Sequence, residues 1–174
     1  DHPHARALAG RYRLIGEIGA GGMGSVWRAW DLRRRRPVAV KLLARHDDVL
    51  LQRFVREQAV RVAHPHVVAP TGWAADEGSV LLSMDLVAGG SLETLLREQG
   101  PQPEGVVAVL LDQLLQALDA VHAAGVVHRD VKPANLLLEA TGTGRPHLRL
   151  ADFGVAAVLG ADRLTTGGRV GTPG

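Results

Sequence analysis

Val127-His128-Arg129-Asp130-Val131-Lys132-Pro133-Ala134-Asn135, followed by Leu136-Leu137-Leu138, is the stretch on which the reading of this chain turns. Apolar residues flank it on both sides, so a polar loop is held between two segments suited to burial. The loop carries a carboxylate (Asp130), an ammonium two residues later (Lys132) and a carboxamide three residues further on (Asn135). Phosphoryl transfer draws on such a set: a carboxylate that orients a hydroxyl, a cation for the moving phosphate, and an oxygen ligand for Mg²⁺. Seventeen residues after Asn135 comes Asp152-Phe153-Gly154, a second hard-cation ligand beside a hydrophobic anchor and a hinge. Either motif alone arises by chance; the pair, in this order and at this distance, does not.

Lysine usage points the same way. Of 20 basic residues only Lys41 and Lys132 are lysines, and wherever any cation would serve the chain uses arginine. A compact ammonium that meets phosphate oxygens as a point charge is not replaced by a planar guanidinium without loss. Lys41 stands inside the apolar run Pro37-Val38-Ala39-Val40-Lys41-Leu42-Leu43, a buried strand in which a charge is costly unless paired. Between Glu17 and Asp76 the only glutamate is Glu57, on a stretch whose Leu50, Phe54 and Val55 predict a helix over 49–62.

Composition sets the frame. A chain of 174 residues is expected to form one domain with a real core, and at 3% aromatic residues that core must rest on Leu, Val and Ala. The formal charge of +2 is too small to argue for nucleic acid, and no partner of that kind is expected. There are no cysteines, which excludes disulfides and thiolate chemistry and fits a reducing compartment. No apolar run is read as reaching the roughly 20 residues of a membrane span, and no signal peptide is visible.

Along the chain, residues 1–10 read as a loose leader. Tyr12 to Ile18, Gly19 to Gly24 and Ser25 to Trp30 read as strand, glycine turn, strand. Glycines at 19, 21 and 24 give G-x-G-x-x-G, shared with dinucleotide-binding turns, but those open a helix and this one continues as a strand. Arg33 to Arg36 is a solvated turn. Val67–Ala74 and Ser79–Asp85 are two further strands. Ser91 caps a helix over 92–99 that Gly100-Pro101 ends. From Glu104 to Ala124, Val107, Leu110, Leu111, Leu114, Leu115, Leu118 and Val121 form one apolar stripe, expected to be buried beneath the polar loop.

Together these motifs resemble a protein kinase domain of the eukaryotic-like Ser/Thr type found in bacteria, from about Tyr12 to Gly174. The resemblance implies an α+β, bilobal protein-kinase-like fold, with a β-rich N-lobe over 11–86 and the first part of the helical C-lobe over 87–174. It implies Mg-ATP (or Mn²⁺) as cofactor, protein Ser/Thr hydroxyls as acceptors, self-association for autophosphorylation and a cytoplasmic domain. By resemblance Asp130 is the catalytic carboxylate, Lys132 meets the transferring phosphate, and Asn135 and Asp152 hold metal. Lys41, fixed by Glu57, aligns the nucleotide under a lid of Gly19, Ala20, Gly21, Gly22, Met23 and Gly24. Val26, Ala39, Met84, Asp85, Val87 and Leu137 complete the nucleotide positions, with Asp85 to Val87 as a hinge that offers backbone groups. His128 and Phe153 are expected to be packing residues. Thr165 and Thr166 are candidate phosphosites on an activation loop, with Arg129 as the cation that would receive a phosphate there.

The chain departs from the family pattern where His64-Pro65 follows Glu57 after only seven residues, with Arg61 in place of an apolar packing residue. The segment that normally follows Thr172, Ala-Pro-Glu, is not present, so the chain is expected to be a fragment of its domain. A nucleotide-binding pseudokinase is the rival reading. Loss of a residue such as Lys41, Asp130 or Asp152 would favour it, and all three are in place.

Overall fold

The computed structural model describes residues 7–21, 24–44, 62–76, 79–125, 128 and 130–151. It opens on five antiparallel strands: β1 (Tyr12–Gly21), β2 (Gly24–Asp31), β3 (Arg36–Ala44), β4 (Pro70–Asp76) and β5 (Ser79–Met84). Their spatial order is β1-β2-β3-β5-β4. On β3 the period-two alternation sends Val38 and Val40 to one face, where they pack with Tyr12, Ala29 and Leu81. Ala39 and Lys41 face the other way, into a cleft. Tyr12, the one tyrosine of the chain, is fully buried and donates its hydroxyl to Ser83 Oγ at 3.0 Å.

Asp31 closes the β2–β3 connection. Its Oδ1 accepts from Arg11 Nε at 2.9 Å, and its Oδ2 accepts from Arg11 Nη2 at 2.7 Å. The backbone N–H groups of Arg33 and Arg34 also point at Oδ1, so one buried carboxylate both pairs a cation and ties the turn. The arginines of the turn stay exposed, as the sequence suggests.

Two expectations need correction. Residues 8–10 are not a loose leader: Leu8 bridges to Tyr12 and packs on its cluster, and the Ala9 N–H donates to Asp76 Oδ2 at 2.6 Å. The strand expected from Val67 begins only at Pro70, because Val67 and Val68 pair elsewhere. Val67 forms a parallel bridge with Leu150, and Val68 N–H donates to the Leu150 carbonyl at 2.8 Å.

The second half holds α1 (Leu92–Gln99), α2 (Glu104–Ala123), a 3₁₀ turn (Pro133–Asn135) and the antiparallel pair β6 (Leu136–Leu138) and β7 (Leu148–Leu150). Ser91 caps α1 by accepting from Thr94 N–H at 3.2 Å, and Gly100 ends it at φ 72°. Between β5 and α1, Gly89 N–H donates to Leu138 O at 2.8 Å. A Cβ there would overlap the carbonyl oxygens of Leu138 and Glu139, so only glycine permits this approach.

The face that α2 buries differs from the predicted stripe. Leu110, Gln113, Ala117 and Val121 are buried, whereas Val107, Leu111 and Leu115 are exposed. Gln113 explains the rotation. Its Nε2 donates to Pro146 O and its Oε1 accepts from Leu148 N–H, each at 2.8 Å, so a polar residue anchors β7 from within the core. Although Asp112, Gln113, Gln116 and Asp119 interrupt any continuous apolar run, the 20-residue α2 has an 18-residue window of mean hydropathy 1.4, long and apolar enough by length and composition to pass for a membrane span. Its inner face belongs to the cluster formed with Val67, Leu136, Leu148 and Leu150.

Asp31 gives the fold a measurable acid dependence. The Arg11 guanidinium, helped by the turn N–H groups, lowers its carboxyl from 3.8 to about 2. A depressed carboxyl stabilises the fold above its unfolded value and ceases to as pH falls through the folded one. Asp31→Asn should therefore cost about 2 kcal/mol at neutral pH. The difference from the parent chain should fade between about pH 4 and pH 2, as urea unfolding across that range would show. A pH-independent difference would refute the assignment.

Candidate active site

The two halves enclose a cleft of about 810 Å³. The sheet contributes Gly19, Gly24, Val26, Ala39, Lys41 and Met84; the connection after β5 contributes Asp85 and Val87. Asp130, Lys132, Asn135 and Leu137 line the opposite side. Every one of these positions was picked from the sequence. Ala20 and Gly21 continue β1 beside it, while Gly22, Met23, Glu57, Asp152, Thr165 and Thr166 lie outside the described residues.

The sheet side follows from local backbone demands. Gly24 sits at φ 127°, and a Cβ would run into the carbonyl of Leu42, so β2 can leave the glycine turn against β3 only with this residue. Lys41 is buried, with Val26 and Leu82 as its register partners on either side. Irregular register between Glu17 and Gly19 marks a bulge, and Ile18 beside it lines the cleft while remaining 55% exposed. Sequence periodicity placed Ile18 in an ordinary strand; a bulge leaves no signal of its own in alternation.

On the other side, three polar side chains meet. Asn135 Nδ2 donates to the Asp130 carbonyl at 2.8 Å and to Asp130 Oδ2 at 3.2 Å. Both partners are acceptors, so the amide nitrogen must face them, and the carboxamide oxygen is left to serve a hard cation. Lys132 Nζ stands 3.3 Å from Asp130 Oδ2, and both side chains are about half exposed, 53% and 49%. Among the described residues no three His, Cys, Asp or Glu side chains converge on a metal position.

His128 does more than pack. It is buried; its Nε2 lies 2.6 Å from the Ala151 carbonyl, and its Nδ1 accepts from Asp130 N–H at 3.1 Å. One neutral tautomer satisfies both contacts, with the proton on Nε2. Ala151 in turn donates its N–H to Asn135 O at 2.9 Å. The loop that carries Asp130 and Asn135 is thereby fastened to the residue directly before Asp152.

The chain belongs to the protein kinase domain family, which it matches over residues 12–174. It is 39% identical to serine/threonine-protein kinase PkaA of Streptomyces coelicolor, over 97% of this chain and 34% of that protein. It is 38% identical to PknD of Mycobacterium tuberculosis, over 98% of this chain and 26% of the other. For PknE of the same organism the values are 40%, 94% and 29%. This chain thus spans about a third or less of these curated relatives. The crystal structure of Rad53 1-466 in complex with AMP-PNP superimposes with a TM-score of 0.77 and 26% identity. That match covers 84% of this chain and 39% of the other, and the fold is the α+β, bilobal one that the motifs imply.

His128→Phe keeps the ring volume but strips a donor from Ala151 O and an acceptor from Asp130 N–H. The Ala151 contact is buried and the Asp130 contact partly so; a buried group left unsatisfied costs about 1–3 kcal/mol, so a loss of at least about 1 kcal/mol is expected by urea unfolding. A variant as stable as the parent would show that His128 only fills space.

Proposed function

We propose that this domain binds ATP in the cleft and transfers its γ-phosphate to Ser or Thr hydroxyls of proteins. The observation that carries the reading is the convergence of Asp130, Lys132 and Asn135 on one wall of a cleft whose other wall holds the buried Lys41. The bacterial relatives, all serine/threonine-protein kinases, support it, as does the complex of Rad53 with AMP-PNP.

On this reading residues 11–86 form the nucleotide-facing lobe and 87–174 carry the transfer residues. The half-exposed Asp130 carboxylate orients the acceptor hydroxyl and takes up its proton as the hydroxyl oxygen bonds to the γ-phosphorus, whose bond to the β,γ-bridging oxygen breaks and releases ADP. Lys132, already beside that carboxylate, offsets charge on the transferring group. Lys41, with Glu57 as its carboxylate, holds the nucleotide's phosphates under the 19–24 turn. Mg²⁺ or Mn²⁺, held by the Asn135 carboxamide oxygen and Asp152, would neutralise phosphate charge. Phosphorylation of Thr165 or Thr166, answered by Arg129, completes the proposal as its regulatory part.

Asp130→Asn keeps the shape of the side chain and removes its basicity. It should lower kcat by at least ~10²-fold while ATP affinity stays within about threefold. Transfer of radiolabelled phosphate to a protein acceptor, with calorimetric titration of ATP, measures both. Undiminished turnover would remove Asp130 from the mechanism.

A further inference from the structure

The side chain of Asp85 ties together segments far apart in the chain. Its Oδ1 accepts from Arg36 Nη2 at 3.1 Å, at the start of β3, and its Oδ2 from Arg149 Nη2 at 3.3 Å, inside β7. Arg149 reaches further: Nη2 also donates to the Val67 carbonyl at 3.1 Å, and Nη1 to Glu139 Oε1 at 3.3 Å. One guanidinium therefore joins the hinge, the segment before β4 and the end of β6. Two residues beyond it, just past the end of β7, is Ala151, on which His128 and Asn135 close.

We infer that Asp85 and Arg149 form a clamp that fixes the hinge against β7, and that Asp85 acts through its carboxylate as a positioning residue for nucleotide binding. The inference rests on the proposed nucleotide reading, in which the hinge backbone meets the base. A hinge held in place has less freedom to lose when the base arrives, so the clamp favours affinity by preorganisation.

The two arms are not equal. Arg36 is 47% exposed, and solvent screens its pairing with Asp85. Arg149 is 15% exposed, where the attraction is less screened and a planar fork is needed to serve three acceptors at once. Neutralising Asp85 leaves Arg149 its contacts with Glu139 and Val67. The fold keeps its internal partner while the hinge exchanges a charged, two-armed tether for a single neutral acceptor, so Asp85→Asn separates positioning from stability.

Charge alone predicts the opposite result. Removing a carboxylate from the rim of a cleft should tighten a polyanion such as ATP, whereas a slackened hinge should weaken it. Arg149→Lys retains the charge but not the fork, so bulk electrostatics predicts no change there and the clamp predicts weakening. The test is calorimetric titration of ATP with Mg²⁺ into the full chain and into Asp85→Asn, Arg149→Lys and Arg36→Gln, with thermal melts of each. We expect Asp85→Asn and Arg149→Lys to weaken ATP by ~3- to 10-fold, and Arg36→Gln to stay within about twofold. If Arg149→Lys does not fold, Asp85→Asn decides the matter alone. Unchanged or tighter ATP binding by a folded Asp85→Asn chain overturns the clamp and leaves the nucleotide reading standing. A parent chain that binds no ATP overturns that reading, and the clamp with it.

Discussion

Ala151 has no side chain beyond a methyl group, yet both of its backbone groups are committed to the loop that precedes β6. Its N–H goes to Asn135 O and its carbonyl to His128 Nε2. Of that loop's described residues only Pro133–Asn135 form even a 3₁₀ turn, so regular hydrogen bonding does little to fix its shape. These two contacts substitute for it. Buried backbone groups that lose their partners cost more than an average hydrogen bond contributes, which makes the arrangement hard to leave. Asp130 and Asn135 are placed by it, and β7 is held at its other end by Gln113.

Much of this was legible from residue order alone. The caps of α1, the hairpin strands and the glycine turn follow from local chemistry, since Ser91, Gly100 and Gly24 each satisfy a demand of neighbouring backbone. The cleft positions were legible because the motifs have fixed spacing. What escaped were pairings between residues distant in sequence. Val67 left the expected strand to bridge Leu150, and Gln113 turned α2 by bonding to the backbone of Pro146 and Leu148. Periodicity predicts that a helix has an apolar side; it cannot tell which of two adjacent leucine rows meets the core. His128 was read as packing because a buried ring and a bridging ring look the same in a sequence.

The hinge illustrates the same limit. Its backbone was expected to matter and its side chains to say little. Asp85 lies 64 positions from Arg149 and 49 from Arg36, so nothing local marks the three as neighbours. Their meeting depends on the sheet order that sets β3 beside β5 and on the short β6–β7 pair beneath. The Gly89 approach to Leu138 and Glu139 holds the chain just beyond the hinge against that pair.

The scarcity of lysine has a practical corollary. A reagent that acylates side-chain amines has two addresses in these 174 residues, and both line the same cleft. Lys132 is 53% exposed and Lys41 only 7%, so the first is open to a bulky reagent and the second shielded. The remaining cations are arginines, inert to such chemistry because their guanidinium groups stay protonated. Apart from the terminal amine that every chain carries, mass added by an amine-selective label therefore reports on the cleft directly, without a side-chain background from the rest of the surface.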